Sequence, residues 1–131
     1  MVSARRAFDY TILQVVPRVD RDERINVGVI LFCPAAAFLG CRIALDADRL
    51  RALAPDVDLA AFGAQLDAVG AVCRGEASAG PIAQLSPSER FHWLSTPRST
   101  VVQPSAPHAG LSEDPAAALD RLFAASVAPP R

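Results

Sequence analysis

The stretch Ile25-Asn-Val-Gly-Val-Ile-Leu-Phe-Cys33 decides the fold of this chain. It is a near-continuous apolar run rich in β-branched residues, which predicts a strand covered at least in part on both faces. Asn26 and Gly28 interrupt the run. A glycine within a strand indicates a bulge or the close approach of another group, and a buried amide needs hydrogen-bond partners. Residues 25–33 are therefore expected to form a central strand.

Two further strands are predicted, one before and one after this run in the sequence. Residues 8–16 alternate in polarity and then become apolar, and Pro17 ends them because it cannot donate to a β-ladder. Residues 38–46 also alternate. A hairpin with Cys33 opposite Cys41 puts the apolar residues of both strands on one face, so this register is expected. The two cysteines are then cross-strand neighbours, both reduced.

Most of the remaining chain is predicted to be helical, because it contains four helix start signals. Each is a capping residue followed by apolar residues at helical spacing, and the caps are Asp46 or Asp48, Asp58, Ser86 with Glu89, and Asp114. Residues 98–103 are predicted to form a fourth strand, and residues 104–110 a loop. This order of elements predicts the α+β class, with an antiparallel sheet of about four strands and helices packed on it.

The length and composition indicate one domain, residues 1–131, with residues 1–6 and 128–131 frayed. The net charge of −1 argues against general nucleic-acid binding. All 13 basic residues are arginine, which excludes lysine-dependent chemistry such as Schiff bases and P-loops. No apolar run is long enough for a membrane span. Three cysteines without metal-ligand spacing indicate a reducing, cytoplasmic setting, and neither a metal nor a cofactor is expected.

A first polar cluster precedes the central strand. Glu23 and Asn26 are candidates for the mouth of a pocket, with neighbouring arginines as a fork for a carboxylate or phosphate. The alternative is a solvated loop whose charges pair among themselves and contribute little. Asn26 is the least easily explained in that way, because it interrupts an apolar strand.

A second polar cluster opens the predicted fourth strand. Arg98 beside Ser99 suits an oxyanion, because guanidinium and hydroxyl donors converge there. The alternative is a polar strand entry whose hydroxyls bond to local backbone, and His108 in the following loop is then a surface histidine. Ser99, His108 and Asp114 are the residue types of a catalytic triad, but no nucleophile elbow accompanies them. No catalytic residue is therefore assigned.

Four stretches resemble the bacterial domain-of-unknown-function family numbered 3037. They are residues 10–17 (YTILQVVP), 24–32 (RINVGVILF), 96–103 (TPRSTVVQ) and 108–115 (HAGLSEDP). The resemblance implies no activity, but it implies a setting, since such genes often stand beside one for a HipA-like kinase. The stretches also coincide with the polar clusters, which groups five residues as one candidate binding site: Glu23, Asn26, Arg98, Ser99 and His108.

Three functions follow from these observations. The leading one is a non-catalytic binding or adaptor module that acts with a HipA-like kinase protein through a sheet edge and the Arg98 strand. The alternative is a small enzyme or ligand-binding domain for a phosphorylated or nucleotide-like substrate, with Arg98 as the anion clamp and His108 or Glu23 as the acid–base group. In the third, the chain is a structural subunit whose polar groups serve folding.

Overall fold

A computed structural model describes residues 4–97 and 101–128. Within these residues the chain forms five strands and four α-helices. The strands are β1 (Arg6–Val15), β2 (Ile25–Cys33), β3 (Phe38–Ile43), β4 (Val102–Pro104) and β5 (His108–Ser112). The helices are α1 (Ala47–Leu53), α2 (Leu59–Arg74), α3 (Pro87–Leu94) and α4 (Pro115–Ser126). The predicted α+β class is confirmed.

The strands form one antiparallel sheet in the order β3-β2-β1-β4, in which β5 also pairs with β1. β4 lies beside the C-terminal half of β1 and β5 beside its N-terminal half. β2 occupies the central position that its apolar sequence predicts, and Val27, Val29 and Ile30 are fully buried. Helices cover both faces of the sheet, which explains why this strand is apolar on both sides.

Gly28 meets both expectations for a glycine within a strand. Leu13 is paired with Gly28 and Gln14 with Asn26, so Val27 is an extra residue that forms a bulge. A Cβ atom on Gly28 would lie 2.8 Å from the backbone oxygen of Arg42 on β3. The third strand therefore approaches β2 closely at a position that has room only for glycine.

The predicted register of the β2–β3 hairpin is wrong. Cys33 is paired with Phe38, and Cys41 with Ile30. The connection is a short 3₁₀ turn, Pro34–Ala36, closed by Ala37 at φ 50° with its N–H donating to the Pro34 oxygen. This tight turn sets the register, and apolar alternation alone does not, because it is compatible with more than one loop length. As a result, Cys33 and Cys41 lie on opposite faces of the sheet.

The helices pack on the sheet through two apolar cores, one on each face of the sheet. The larger core lies between the sheet and α1, α2 and α3, and includes Leu13, Val27, Ile30, Leu50, Phe62, Leu66 and Phe91. The smaller core lies under α4 and includes Phe8, Val29, Leu31, Cys33, Ala118 and Leu119. All four helices begin where the sequence predicts, with the capping oxygens of Asp46, Asp58, Ser86 and Asp114 accepting backbone N–H groups.

The C-terminal strands differ from the prediction. Residues 104–110 were expected to form a loop, yet β5 begins at His108, and β4 ends at Pro104. Ser105 links the two strands to β1, because its N–H donates to the Ile12 oxygen (2.7 Å) and its Oγ accepts the Ile12 N–H (2.9 Å). Pro107 and Gly110 are loop signals, and only long-range pairing with β1 overrides them.

Candidate functional site

Glu23 lies in the exposed loop between β1 and β2, where it forms an ion pair with Arg21. The same loop holds two further ion pairs, Arg18 with Asp20 and Arg24 with Asp22. The hydrogen bond from Arg18 lowers the pKa of Asp20, and the hydrogen bond to Glu23 raises the pKa of Arg21. These charges are satisfied within the loop. Such exposed pairs contribute little to stability, so the arrangement favours a solvated loop over a fork aimed at a ligand.

The amide of Asn26 connects three elements of the fold. Its Oδ1 accepts a hydrogen bond from Gln14 Nε2 on β1 (3.0 Å), and its Nδ2 donates to the backbone oxygen of Ser126 at the end of α4 (3.1 Å). The side chain is half-buried beside the bulge. Asn26 therefore has the partners that a polar residue in an apolar strand requires, and these partners are structural.

Asn26→Ala is expected to lower the free energy of unfolding by about 1–2 kcal/mol, because it leaves Gln14 Nε2 and the Ser126 oxygen without their partner. Urea denaturation followed by circular dichroism measures the change. Gln65→Ala is the matched control, since this exposed amide on α2 is expected to change stability by no more than about 0.5 kcal/mol. An Asn26→Ala protein as stable as the parent would show that the amide does not serve folding.

His108 is the first residue of β5 and lies opposite Tyr10 on β1. Its ring packs on that of Tyr10 with 5.2 Å between centroids, and the residue is exposed. Asn26 is paired with Gln14, four residues further along β1, which corresponds to about 13 Å of strand. The described residues therefore do not bring His108 and Asn26 together.

Arg98 and Ser99 lie outside the described residues. Their grouping with Glu23, Asn26 and His108 stays a prediction. The alternative function as a phosphate- or nucleotide-binding domain depends on Arg98, and it stays a prediction for the same reason.

The outer edge of the sheet at β5 is a feature that sequence reasoning missed. Leu111 is 61% exposed, and its pairing partner Ala7 is exposed as well. The neighbouring pair on the same face, Ala109 and Asp9, is also exposed. No helix among the described residues covers this corner of the sheet. We call the strand His108–Ser112, with this uncovered face, the β5 edge.

An apolar groove of about 810 Å³ lies beside α2 and reaches Val102 on β4. It is bounded by α2, by the 3₁₀ turns that precede α3, and by Trp93, which is 37% exposed. Trp93 also borders a second hollow, next to His92 and Thr96. Of the residues predicted to form the binding site, the three that the structure describes, Glu23, Asn26 and His108, line neither hollow.

Two classes of site were also sought within residues 4–97 and 101–128. No three His, Cys, Asp or Glu side chains there are grouped so as to share a metal ion. In the same residues, no helix has both the length and the apolar character that crossing a bilayer requires.

Comparison with known proteins gives one match. Neither the curated proteins nor the solved structures contain a significant match to this chain. The sequence model of a family described as "Protein of unknown function (DUF3037)" matches residues 10–127, which is nearly the whole chain, and the chain therefore belongs to the DUF3037 family.

Proposed function

We propose that this domain is a non-catalytic binding module that accepts an extended segment of a partner protein as an additional strand beside β5. The observation that supports the proposal is the β5 edge. Among the described residues this strand pairs only with β1, and it has an exposed leucine on its uncovered face. An unpaired strand edge offers backbone N–H and C=O groups to an incoming strand, and an adjacent apolar side chain adds buried area and specificity.

The opposite edge of the sheet, β3, is less suited to this role. Helices α2 and α4 pack against β3 from the two faces of the sheet. Arg42 on β3 is held by an ion pair with Asp120 (3.2 Å) and lies 4.3 Å from the centre of the Phe123 ring. These contacts surround β3 with side chains of the domain itself. The β5 edge carries no such cover in the part of the chain that the structure describes.

The proposed partner is a HipA-like kinase protein, as the family resemblance implies. Strand addition suits a partner of this kind because it needs only a short extended segment of a larger protein. The binding energy then comes from main-chain hydrogen bonds and from the burial of Leu111, with no chemistry performed by the module.

Leu111→Arg is expected to weaken binding of the kinase protein about tenfold or more, because burying a leucine contributes about 1.5–3 kcal/mol. Isothermal titration calorimetry with the two purified proteins measures the change. Val19→Arg is the matched control, since Val19 is 72% exposed in the β1–β2 loop, away from the β5 edge. Its affinity is expected to equal that of the parent.

Two results would contradict the proposal. One is full-strength binding by Leu111→Arg, which would place the contact elsewhere on the domain. The other is the absence of any binding between the unsubstituted proteins at low salt, which would remove the kinase protein as the partner. Both substituted residues are exposed, so neither variant is expected to lose its fold.

A further inference from the structure

The backbone of β5 has outward-facing hydrogen-bonding groups at two positions, Ala109 and Leu111. On β1, Ile12 directs its backbone oxygen and N–H toward the β4–β5 side of the sheet, where both bond with Ser105. Because these directions alternate along a strand, the even-numbered residues of β1 face β5, and Gly110 pairs with one of them. The backbone groups of Gly110 therefore point toward β1. Those of Ala109 and Leu111 point away from β1, toward the open edge.

The side chains of the same two residues lie on the uncovered face of the sheet. Leu111 is paired with Ala7 and Ala109 with Asp9, and all four residues are exposed. A strand added beside β5 places one side chain next to Leu111 and another next to Ala109 on this face, two residues apart in its own sequence. The spacing is the same for either strand direction, because side chains alternate in both. The edge therefore contacts two side chains of an incoming segment.

Asp9 is a negative charge on this face without a paired cation among the described residues. Its carboxylate forms no ion pair within residues 4–97 and 101–128. On the β2 side its neighbour is Phe32, whose ring stacks on that of Phe91 in α3. On the β5 side its neighbour is Ala109, which has only a methyl group. A cation from a partner strand would therefore approach Asp9 across Ala109.

The distance to Asp9 restricts the side chains that reach it. Neighbouring strands lie about 4.8 Å apart, so the backbone of a strand beside β5 lies about 10 Å from that of β1. Arginine and lysine carry their charge at the end of a long apolar stem, and a stem that starts opposite Ala109 lies across its methyl group and brings the charge to Asp9. An acidic residue at the same position is repelled by Asp9. An apolar residue opposite Leu111 buries apolar surface of both strands.

We propose that the β5 edge selects a partner segment that carries an apolar residue opposite Leu111 and, two positions away, an arginine or lysine opposite Ala109. The inference rests on the strand addition proposed above and names the kind of sequence that this edge accepts. The main-chain hydrogen bonds supply affinity that does not depend on sequence, and the contact with Asp9 supplies specificity.

Two synthetic peptides test the selection on the whole, unsubstituted chain. Both are blocked at their ends, and their sequences, TVTLTRTVT and TVTLTETVT, differ only in the charge two positions after the leucine. Titration followed by nuclear magnetic resonance gives each dissociation constant from the shifts of the Ala109 and Leu111 amides. The arginine peptide is expected to bind about fivefold more tightly, because an attractive cross-strand charge pair replaces a repulsive one. This preference is expected to decrease at high salt concentration, since the pair is exposed.

Charge substitutions at Asp9 assign the preference to this residue. Asp9→Asn is expected to bind both peptides equally, and Asp9→Arg is expected to bind the glutamate peptide about fivefold more tightly than the arginine peptide. Asp56→Asn is the matched control, because Asp56 is also exposed and lies between α1 and α2, and it is expected to keep the parent preference. Asp9 is exposed, so its variants are expected to fold.

Equal affinity of the unsubstituted chain for the two peptides would overturn the inference, as would a preference that persists in Asp9→Asn or the failure of both peptides to bind. Amide shifts that grow with protein concentration alone would assign the edge to a second copy of the chain instead. The proposed function is tested separately by Leu111→Arg and the kinase protein. Loss of kinase binding in that variant supports strand addition at β5 even where the edge shows no preference for a basic residue.

Discussion

Gly28→Ala is expected to lower the free energy of unfolding by about 2 kcal/mol, because overpacking a closed site typically costs about 1–3 kcal/mol. The added Cβ would lie 2.8 Å from the backbone oxygen of Arg42 and 3.1 Å from Cγ1 of Ile43. The first of these is a backbone atom of the neighbouring strand, so it cannot swing away as the end of a flexible side chain does. Relief of the contact requires β2 and β3 to separate at the bulge. Urea denaturation followed by circular dichroism measures the effect.

Gly63→Ala is the control for Gly28→Ala and is expected to have the opposite sign. Gly63 lies within α2, and a Cβ there would meet nothing within 4 Å. Alanine is favoured over glycine in a helix interior by about 0.5–1 kcal/mol, so stability is expected to rise. If both substitutions changed stability by the same amount, the close approach of β3 to Gly28 would be disproved.

Leu50→Ala is expected to lower the free energy of unfolding by about 3 kcal/mol. Leu50 is fully buried in the larger core and is the buried residue by which α1 is attached. α1 has seven residues, and a helix this short is not stable without tertiary contacts. The substitution therefore leaves a cavity and also weakens the attachment of the helix.

Two measurements distinguish these effects of Leu50→Ala. The midpoint of urea denaturation reports the loss of global stability, and hydrogen exchange of the α1 amides reports local detachment. Arg49→Ala is the control, because Arg49 is exposed and is expected to change stability by no more than about 0.5 kcal/mol. An unchanged urea midpoint for Leu50→Ala would show that α1 does not belong to the cooperative core.

The parts of the fold that were predicted correctly depend on neighbours in sequence. The bounds of β2 follow from one apolar run that ends at Pro34. Each of the four helix starts follows from a capping side chain and a backbone N–H three residues later, as at Asp58 and Ala61. Such signals lie within a few residues and act in nearly any tertiary context.

The parts that were not predicted depend on partners distant in sequence. β5 exists because residues 108–112 pair with the start of β1, about a hundred residues earlier. The hairpin register depends on the conformation of a four-residue turn that includes Ala37 at positive φ, for which alanine is no signal.

The same distinction holds for the candidate site: the sequence selected its residues, and the structure determined their partners and positions. The sequence singled out Asn26, and the structure supplies its partners, Gln14 and Ser126, from two other elements. Glu23 and His108 were chosen for their chemistry, and the structure places one in a self-paired loop and the other on an exposed strand. Residue type shows which side chains are able to act. It does not show which of them meet.

The sequence by itself determined the α+β class, the central strand, the four helix starts and the family of this protein. All of these follow from local periodicity, from capping or from sequence likeness. Only the tertiary structure decided the hairpin register and the β5 edge. The physical reason is that a strand edge and a strand register are relations between segments, and they exist only after segments distant in sequence have packed together.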